Sequence, residues 1–324
     1  MVKSKVDVSS TGTLAVDYFA LLHKIPGPDD KAMAEHYEIH PGGVAGNVIT
    51  QIARLGLSAG WFGKIGDDEA GKILIREFIN EGIDTTHVEI VKTEHSMFTW
   101  IQVDKNGNKA ITMFPNVLNK FTVEDVEKKH KEYISSSKVL QVEACVLPLK
   151  PALRAIEIAK ENGVKVVFDL DVVPSHFIDE AHLATKEELR RAIGLADVFI
   201  PCKAAAVELI ESKDIRGNAR KLLDYGPHIV AVTLGEKGCI VLSRDEFHTI
   251  PSFKVKVIDT TGAGDAFHGG FIYGLIKKLS LKSTGVFANA CGALCCMNVG
   301  ARAMGGLDEI NKLIHNDCVY DNIV

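Results

Sequence analysis

The chain has 324 residues, 46% of them hydrophobic, and its 37 Lys and Arg against 42 Asp and Glu leave a formal charge of −5. At ~150 residues per domain this length gives two domains or one large α/β domain with an insertion, either with a proper core, and it excludes disorder. A mildly acidic balance without a basic run removes the electrostatic footprint of a nucleic-acid-binding protein, and no apolar stretch reaches the ~20 residues of a membrane span.

The chain opens on Lys3 and Lys5 and passes into strand-like alternation without the apolar centre of a signal peptide, so a soluble, cytoplasmic protein is expected. Phe19 to His40 alternates with period two. Asn47 to Leu55 reads as a helix and Ala59 to Ile65 as a strand. His95 to Phe114 alternates again around Asn106-Gly107, a strong hairpin signal. Strands then follow at Val139 to Val142, Val164 to Leu170, Ala196 to Ile200 and Ile229 to Leu234, interleaved with helical spacing at Pro151 to Glu161, Ala204 to Glu211 and Phe267 to Lys278. This order predicts an α/β fold with a mostly parallel sheet flanked by helices. The two early ribbons, approximately residues 18–41 and 94–115, predict a small antiparallel β lid inserted in a single domain spanning 1–324.

Seven cysteines, none in a Cys-x-x-Cys pair, are expected to be reduced. Cys291, Cys295 and Cys296 share one apparent helix with Ala290, Ala293, Leu294 and Met297, which favours small core residues over a metal site.

Three motif matches fail on chemistry or order. Gly66 to Lys72 nearly spells a P-loop, but Ile73 replaces the magnesium-binding hydroxyl, and Asp67, Asp68 and Glu69 would repel phosphate. Gly56-Leu-Ser58-Ala-Gly60 matches a nucleophile elbow with the helix before and the strand after, the reverse of what the elbow needs. His36 and His40, four apart on a strand, are too distant to share a metal. The match that survives is Val255 to Phe271, with Gly262, Gly264 and Asp265 set between a β-branched strand and an apolar helix. Glycines let the backbone approach a ligand, and the N–H groups of a first helical turn attract an anion. A dinucleotide fingerprint would need glycine at 267, which is Phe267.

From Asp259 to Phe267 the sequence closely resembles the C-terminal signature of the PfkB (ribokinase-like) carbohydrate kinases. Pro41-Gly42-Gly43-Val-Ala-Gly-Asn47 with Arg54-Leu55-Gly56 looks like the N-terminal signature, and Gly12 to Asp17, expected at the end of the first strand, is similar to the segment bearing the substrate-binding aspartate. Val232-Thr233-Leu-Gly235-Glu-Lys-Gly238 resembles the nucleotide-binding turn, and Asn289 with Gly292 the helix beside the adenine. The resemblance covers nearly the whole chain and implies a ribokinase-like fold and an ATP-dependent sugar kinase. It leaves as alternatives a nucleoside kinase of the same family and a catalytically weak sugar-binding regulatory protein. It implies Asp265 as the base, with Gly262, Ala263 and Gly264 as the anion hole. It further implies Asp17, Gly42, Gly43, Asn47 and Glu143 at the sugar, and Thr233, Gly235, Gly238, Asn289 and Gly292 at the nucleotide, where Lys203, a residue outside the matched motifs, is expected to reach a phosphate directly. The cofactors implied are ATP and Mg2+, with K+ left open. A homodimer through the lids is the expected assembly.

One family element is missing. Relatives carry Asn-x-x-Glu after the strand that here ends Phe199-Ile200-Pro201, and those positions are Cys202 and Ala205. The missing carboxylate puts the handling of magnesium in doubt, and leaves Glu143 and Glu208 as candidate metal ligands.

Overall fold

The computed structural model describes residues 6–316. Its strands are β1 (Val8–Thr11), β2 (Ala15–Leu22), β3 (Ala34–Gly42), β4 (Ala59–Trp61), β5 (Gly63–Gly66), β6 (Val88–Val91) and β7 (Phe98–Asp104). These are followed by β8 (Lys109–Phe114), β9 (Val139–Ala144), β10 (Lys165–Leu170), β11 (Val198–Pro201), β12 (Ile229–Thr233), β13 (Cys239–Leu242) and β14 (Phe247–Ile250).

Runs such as Val166-Val167-Phe168 and Val230-Ala231-Val232 are apolar at every position because both faces of their strands are covered. Eight strands form one sheet in the order β14-β13-β12-β11-β10-β9-β1-β4. Every pair from β4 to β12 is parallel, and β13 and β14 add an antiparallel edge. Val139, Val167, Val198 and Ala231 turn to one face, against Ile49, Ile52, Phe271 and Phe287 of the helices Val44–Arg54, Ala263–Ile276 and Leu281–Cys295. Leu140, Val166, Phe168 and Val230 turn to the other, against Ile156, Leu189 and Leu222 of the helices Leu149–Glu161, Lys186–Leu195 and Ile215–Leu223.

The two early ribbons form a second sheet in the order β3-β2-β7-β8. Each ribbon is an antiparallel pair, and the two are joined by a parallel pairing of β2 with β7. The Asn106-Gly107 turn is held by Asp104 Oδ1, which accepts from the N–H groups of Asn106 and Asn108. One face of this sheet carries Asp17, His40, Thr99 and Lys109 by register, and Lys109 Nζ reaches across to donate to Thr261 Oγ1 at 3.4 Å.

Two expectations are corrected. Residues 255–258 form no strand, because β14 is the sheet edge and the chain beyond Pro251 instead lies along the end of the helix Leu281–Cys295, with Ile258 N–H on the Cys296 carbonyl. Asp17 does not end the first strand. The chain leaves β1 at Thr11 and Asp17 sits inside β2, where its neighbours are small-sheet residues.

Candidate active site

The turn Asp259–Gly262 feeds the helix Ala263–Ile276 through Gly262, whose φ of 79° is left-handed and whose missing Cβ would lie 2.1 Å from the Ala301 carbonyl oxygen. Only glycine satisfies both conditions. Asp259 braces the turn by accepting from Thr261 N–H, Thr261 Oγ1 and Gly300 N–H. The Ala263 N–H is occupied by the Thr260 carbonyl, so among the amides read as an anion cradle it is committed within the protein. Above Gly264 an added Cβ would meet no atom within 4 Å, and this open space fronts the first helical turn, where N–H groups lack partners four residues back. Asp265 follows in that turn. Its carboxyl is buried, and burial together with the charges of Asp171 and Asp169 pushes it up to about 8, against the opposing effect of a hydrogen bond from Asn47.

Asn47 lies in the first turn of the helix Val44–Arg54 and donates through Nδ2 to Asp265 Oδ2 at 2.7 Å. Its Oδ1 accepts from Arg302 Nε at 3.1 Å, and Arg302 Nη2 donates to the Gly42 carbonyl at 3.3 Å. Gly43, at φ 86°, lets the chain pass the Thr13–Ala15 backbone, where a Cβ would come within 2.6–2.8 Å of main-chain atoms. Gly42 makes room for a side chain instead: its Cβ would lie 2.2 Å from Asp17 Oδ2. The Asp17 carboxyl is raised by burial, with Thr99 as hydrogen-bond partner and Arg302 and His40 opposing the rise.

A floor of further carboxylates closes the ends of β9 and β10. Glu143 and Asp169 stand side by side in the β9–β10 register, both buried, with Asp171 just past the end of β10. Glu143 accepts from the Thr13 N–H under Gly12, whose missing Cβ leaves room for this carboxylate, and Glu143 Oε2 is a buried atom without a partner. Burial pushes the Glu143 carboxyl up to about 8 and that of Asp171 to about 7. His268, one turn along the helix from Asp265, places Nδ1 2.5 Å from Asp169 Oδ2, and burial drives the imidazole down and the Asp169 carboxyl well up, toward neutrality for both.

The residues read as nucleotide contacts divide into two groups. Lys203 opens the helix Lys203–Ile210 and Thr233 ends β12, and a bridge between Cys202 and Thr233 places the two segments side by side. Gly235 and Gly238, at φ 61° and 87°, form the turn that follows. Asn289 and Gly292 have protein partners: the Asn289 amide donates to the carbonyls of Ile250 and Pro251, and Gly292 brings its helix to 3.0 Å from the Ala263 carbonyl, measured from an added Cβ. Where Asn-x-x-Glu is missing, Cys202 Sγ caps the helix by accepting from Ala205 N–H, and Ala205 is wholly buried. Glu208 accepts from Ser175 N–H and Oγ, so its carboxylate ties two surface segments together and is not brought to the carboxylate floor. Among the described residues no group of three or more His, Cys, Asp or Glu is arranged to hold a metal ion by itself. Cys291 and Cys295 are buried and unpaired, as expected for core thiols.

Sequence reasoning missed Arg302, Asp171 and His268 as members of the site. The last two were visible as polar residues next to strand and helix ends. Arg302, however, follows the last sheet-packed helix and lies 255 positions from its partner Asn47, with no local signal.

A parallel sheet with ligand-facing groups at its carboxyl ends, and a glycine-fronted helix N-terminus beside a buried carboxylate, define a phosphate-handling α/β enzyme. The pfkB family carbohydrate kinase pattern matches residues 5–306, and the chain belongs to that family. Ribokinase of Haemophilus influenzae is 30% identical over 297 residues, covering 90% of this chain and 92% of that protein. The 5-dehydro-2-deoxygluconokinase of Clostridium perfringens is 28% identical over 307 residues, 90% of this chain and 87% of that protein. A putative ribokinase II of E. coli, solved with ATP and Mg2+, superposes with a TM-score of 0.85 at 22% identity over 96% of this chain and 100% of that one. The fold is ribokinase-like and the protein is a carbohydrate kinase. No helix among the described residues is long and apolar enough to cross a membrane.

Proposed function

We propose that the enzyme moves the γ-phosphoryl group of ATP to a sugar hydroxyl, with Asp265 as the base. The observation that carries this reading is the buried Asp265 carboxyl, held by Asn47 beside the open space over Gly264. The acceptor hydroxyl gives its proton to Asp265, the new O–P bond forms in line with the departing ADP oxygen, and the first-turn N–H groups stabilise the charge on the transferred group. Asp17 and Thr99 grip the other hydroxyls, framed by the Gly42-Gly43 turn, because a half-buried carboxylate and a hydroxyl match a polyol. The nucleotide lies toward Lys203, Thr233 and the Gly235–Gly238 turn, because the Cys202–Thr233 bridge sets these segments side by side. Magnesium supplies charge neutralisation when bound. The unpartnered Glu143 Oε2 is the atom that fits it.

The small sheet is read as the lid over the sugar. Its far face carries Tyr37, Ile39, Trp100 and Phe114, between 38% and 66% exposed, an apolar surface suited to a second lid and hence to a homodimer. The relatives by sequence act on sugars and their derivatives, which favours a carbohydrate over a nucleoside, and the reaction suits a cytoplasmic setting where ATP is available. Incubation with ATP, Mg2+ and a panel of neutral sugars, sugar acids and nucleosides, with ADP and phosphorylated product both quantified, tests the reading. Phosphorylation of a nucleoside in preference to every sugar refutes it.

A further inference from the structure

Asn47 has two ends, and a buried amide can turn over. Its Nδ2 must face Asp265 for the carboxylate to be held, yet nothing in the amide itself chooses that orientation. Arg302 chooses it. A guanidinium can only donate, so with Nε 3.1 Å from Oδ1 it admits the carbonyl end of Asn47 and rejects the amino end, which leaves Nδ2 directed at Asp265 Oδ2 at 2.7 Å. The second donor, Nη2 to the Gly42 carbonyl at 3.3 Å, fixes the guanidinium against the turn that frames Asp17.

Arg302 is itself held. Its carbonyl accepts from Arg54 Nη1 at 2.7 Å, Arg54 is paired with Glu81, and the Arg302 guanidinium lies 5.7 Å over the Phe78 ring. The adjoining residues brace the phosphate turn, since Gly300 N–H donates to Asp259 Oδ2 and Ala301 packs on Gly262. The 300–302 loop thus touches the partner of the base, the sugar turn and the phosphate turn together.

We propose that Arg302 is a positioning residue for catalysis, acting through Asn47 to orient Asp265 and to lock its geometry to the sugar-binding turn. The proposal rests on the reading of Asp265 as base. Its consequence is specific: one oxygen of Asp265 is occupied by Asn47, so the other is the one presented to the acceptor hydroxyl. Without Arg302 the Asn47 amide can turn its carbonyl to accept from the protonated Asp265 O–H, so the neutral acid gains a partner and the charged base loses its donor.

Steady-state kinetics of wild type, Arg302→Met, Arg302→Lys, Asn47→Ala and the Arg302→Met/Asn47→Ala double variant test this, with thermal midpoints measured for each and the pH varied. Arg302→Met is expected to lower kcat ~10–100-fold with little change in the ATP requirement, the scale of a misplaced proton acceptor. The acid limb of its kcat profile is expected to move upward by ~0.5–1 pH unit, because a hydrogen bond that favours the charged carboxylate is lost. Asp169, Asp171, His268, Cys145 and Cys295 also face Asp265, and they are unchanged in these variants. Arg302→Lys keeps the donor-only character and is expected to recover part of the loss, and it serves as the readout should Arg302→Met fold poorly. In the Asn47→Ala background Arg302→Met should add less than ~2-fold, since its route to Asp265 is already gone. A folded Arg302→Met with wild-type kcat and pH profile, or losses that multiply in the double variant, overturns the proposal. An active Asp265→Asn would instead sink the base reading itself, and the relay with it.

Discussion

Gly42→Ala separates sugar binding from folding. Gly42 does not have a left-handed φ, so alanine is compatible with its backbone, and the only near obstacle to the new Cβ is the Asp17 carboxylate at 2.2 Å from Oδ2 and 2.9 Å from Cγ. Ordinary non-bonded contact begins near ~3.5 Å, so the carboxylate must retreat by ~1 Å, which a side-chain end does cheaply. Stability should therefore barely change. A retreat of that size breaks a charged hydrogen bond to a sugar hydroxyl, worth ~1.5–3 kcal/mol, so the sugar KM should rise ~10–150-fold while the ATP KM stays put. The neighbouring Gly43→Ala is the contrast. Its φ is 86° and its Cβ would strike the main chain at Thr13, Leu14 and Ala15, so it should cost ~2–4 kcal/mol of stability through backbone strain and overpacking. Initial rates against each substrate at saturation of the other, with thermal midpoints, give the answer. Equal rises in both KM values for Gly42→Ala, or none in either, would refute the placement of Asp17 at the sugar.

Gly264→Ala should raise the thermal midpoint, since alanine is favoured over glycine in a helix by ~1 kcal/mol, yet lower kcat/KM for ATP because its methyl fills the open space over the first turn. Unchanged kinetics would show that no phosphate passes there. Glu143 and Asp265 titrate near 8 and Asp171 near 7 in the folded chain, above their unfolded values, so the native state binds extra protons and stability falls as pH rises from ~6.5 to ~8.5. His130 and His268, held neutral by burial, oppose this trend below ~6.5 without reversing it, because the raised carboxyls outnumber them. A thermal midpoint that climbs between pH 6.5 and 8.5 would contradict this. Glu208→Ala should lower stability by ~1–3 kcal/mol, because Ser175 loses its acceptor, and leave the magnesium requirement unchanged. A shifted magnesium curve would return Glu208 to the metal.

Much of this architecture is written in local pattern. Val166 to Phe168 and Val230 to Val232 are apolar without alternation because both faces are covered, while the Asn106-Gly107 turn marks its hairpin by residue type alone. Gly262-Ala-Gly-Asp265 could be read as a phosphate-binding helix start because its glycines serve a local geometry. What the sequence hides is long-range. The parallel joint between β2 and β7 unites segments about eighty residues apart through main-chain groups that any residues supply. Arg302 reaches Asn47 across 255 positions, and Val255 to Ile258, β-branched like a strand, stay outside the sheet because β14 already forms its edge. Glu208 looked like a spare metal ligand one turn past Ala205, but its helix turns it toward Ser175.

The role of Asp265 is the centre of the account, and Asp265→Asn tests it most directly. Wild type and variant would be incubated with ATP, Mg2+ and the sugar that the wild type phosphorylates, with sugar phosphate and ADP measured together and ATP affinity determined separately. The amide preserves size and the Asn47 contact but cannot take the proton, so sugar phosphate formation should fall at least ~100-fold while ATP still binds with wild-type affinity. Turnover above about 10% of wild type, in a variant that folds and binds ATP normally, would show that the hydroxyl proton leaves by another route.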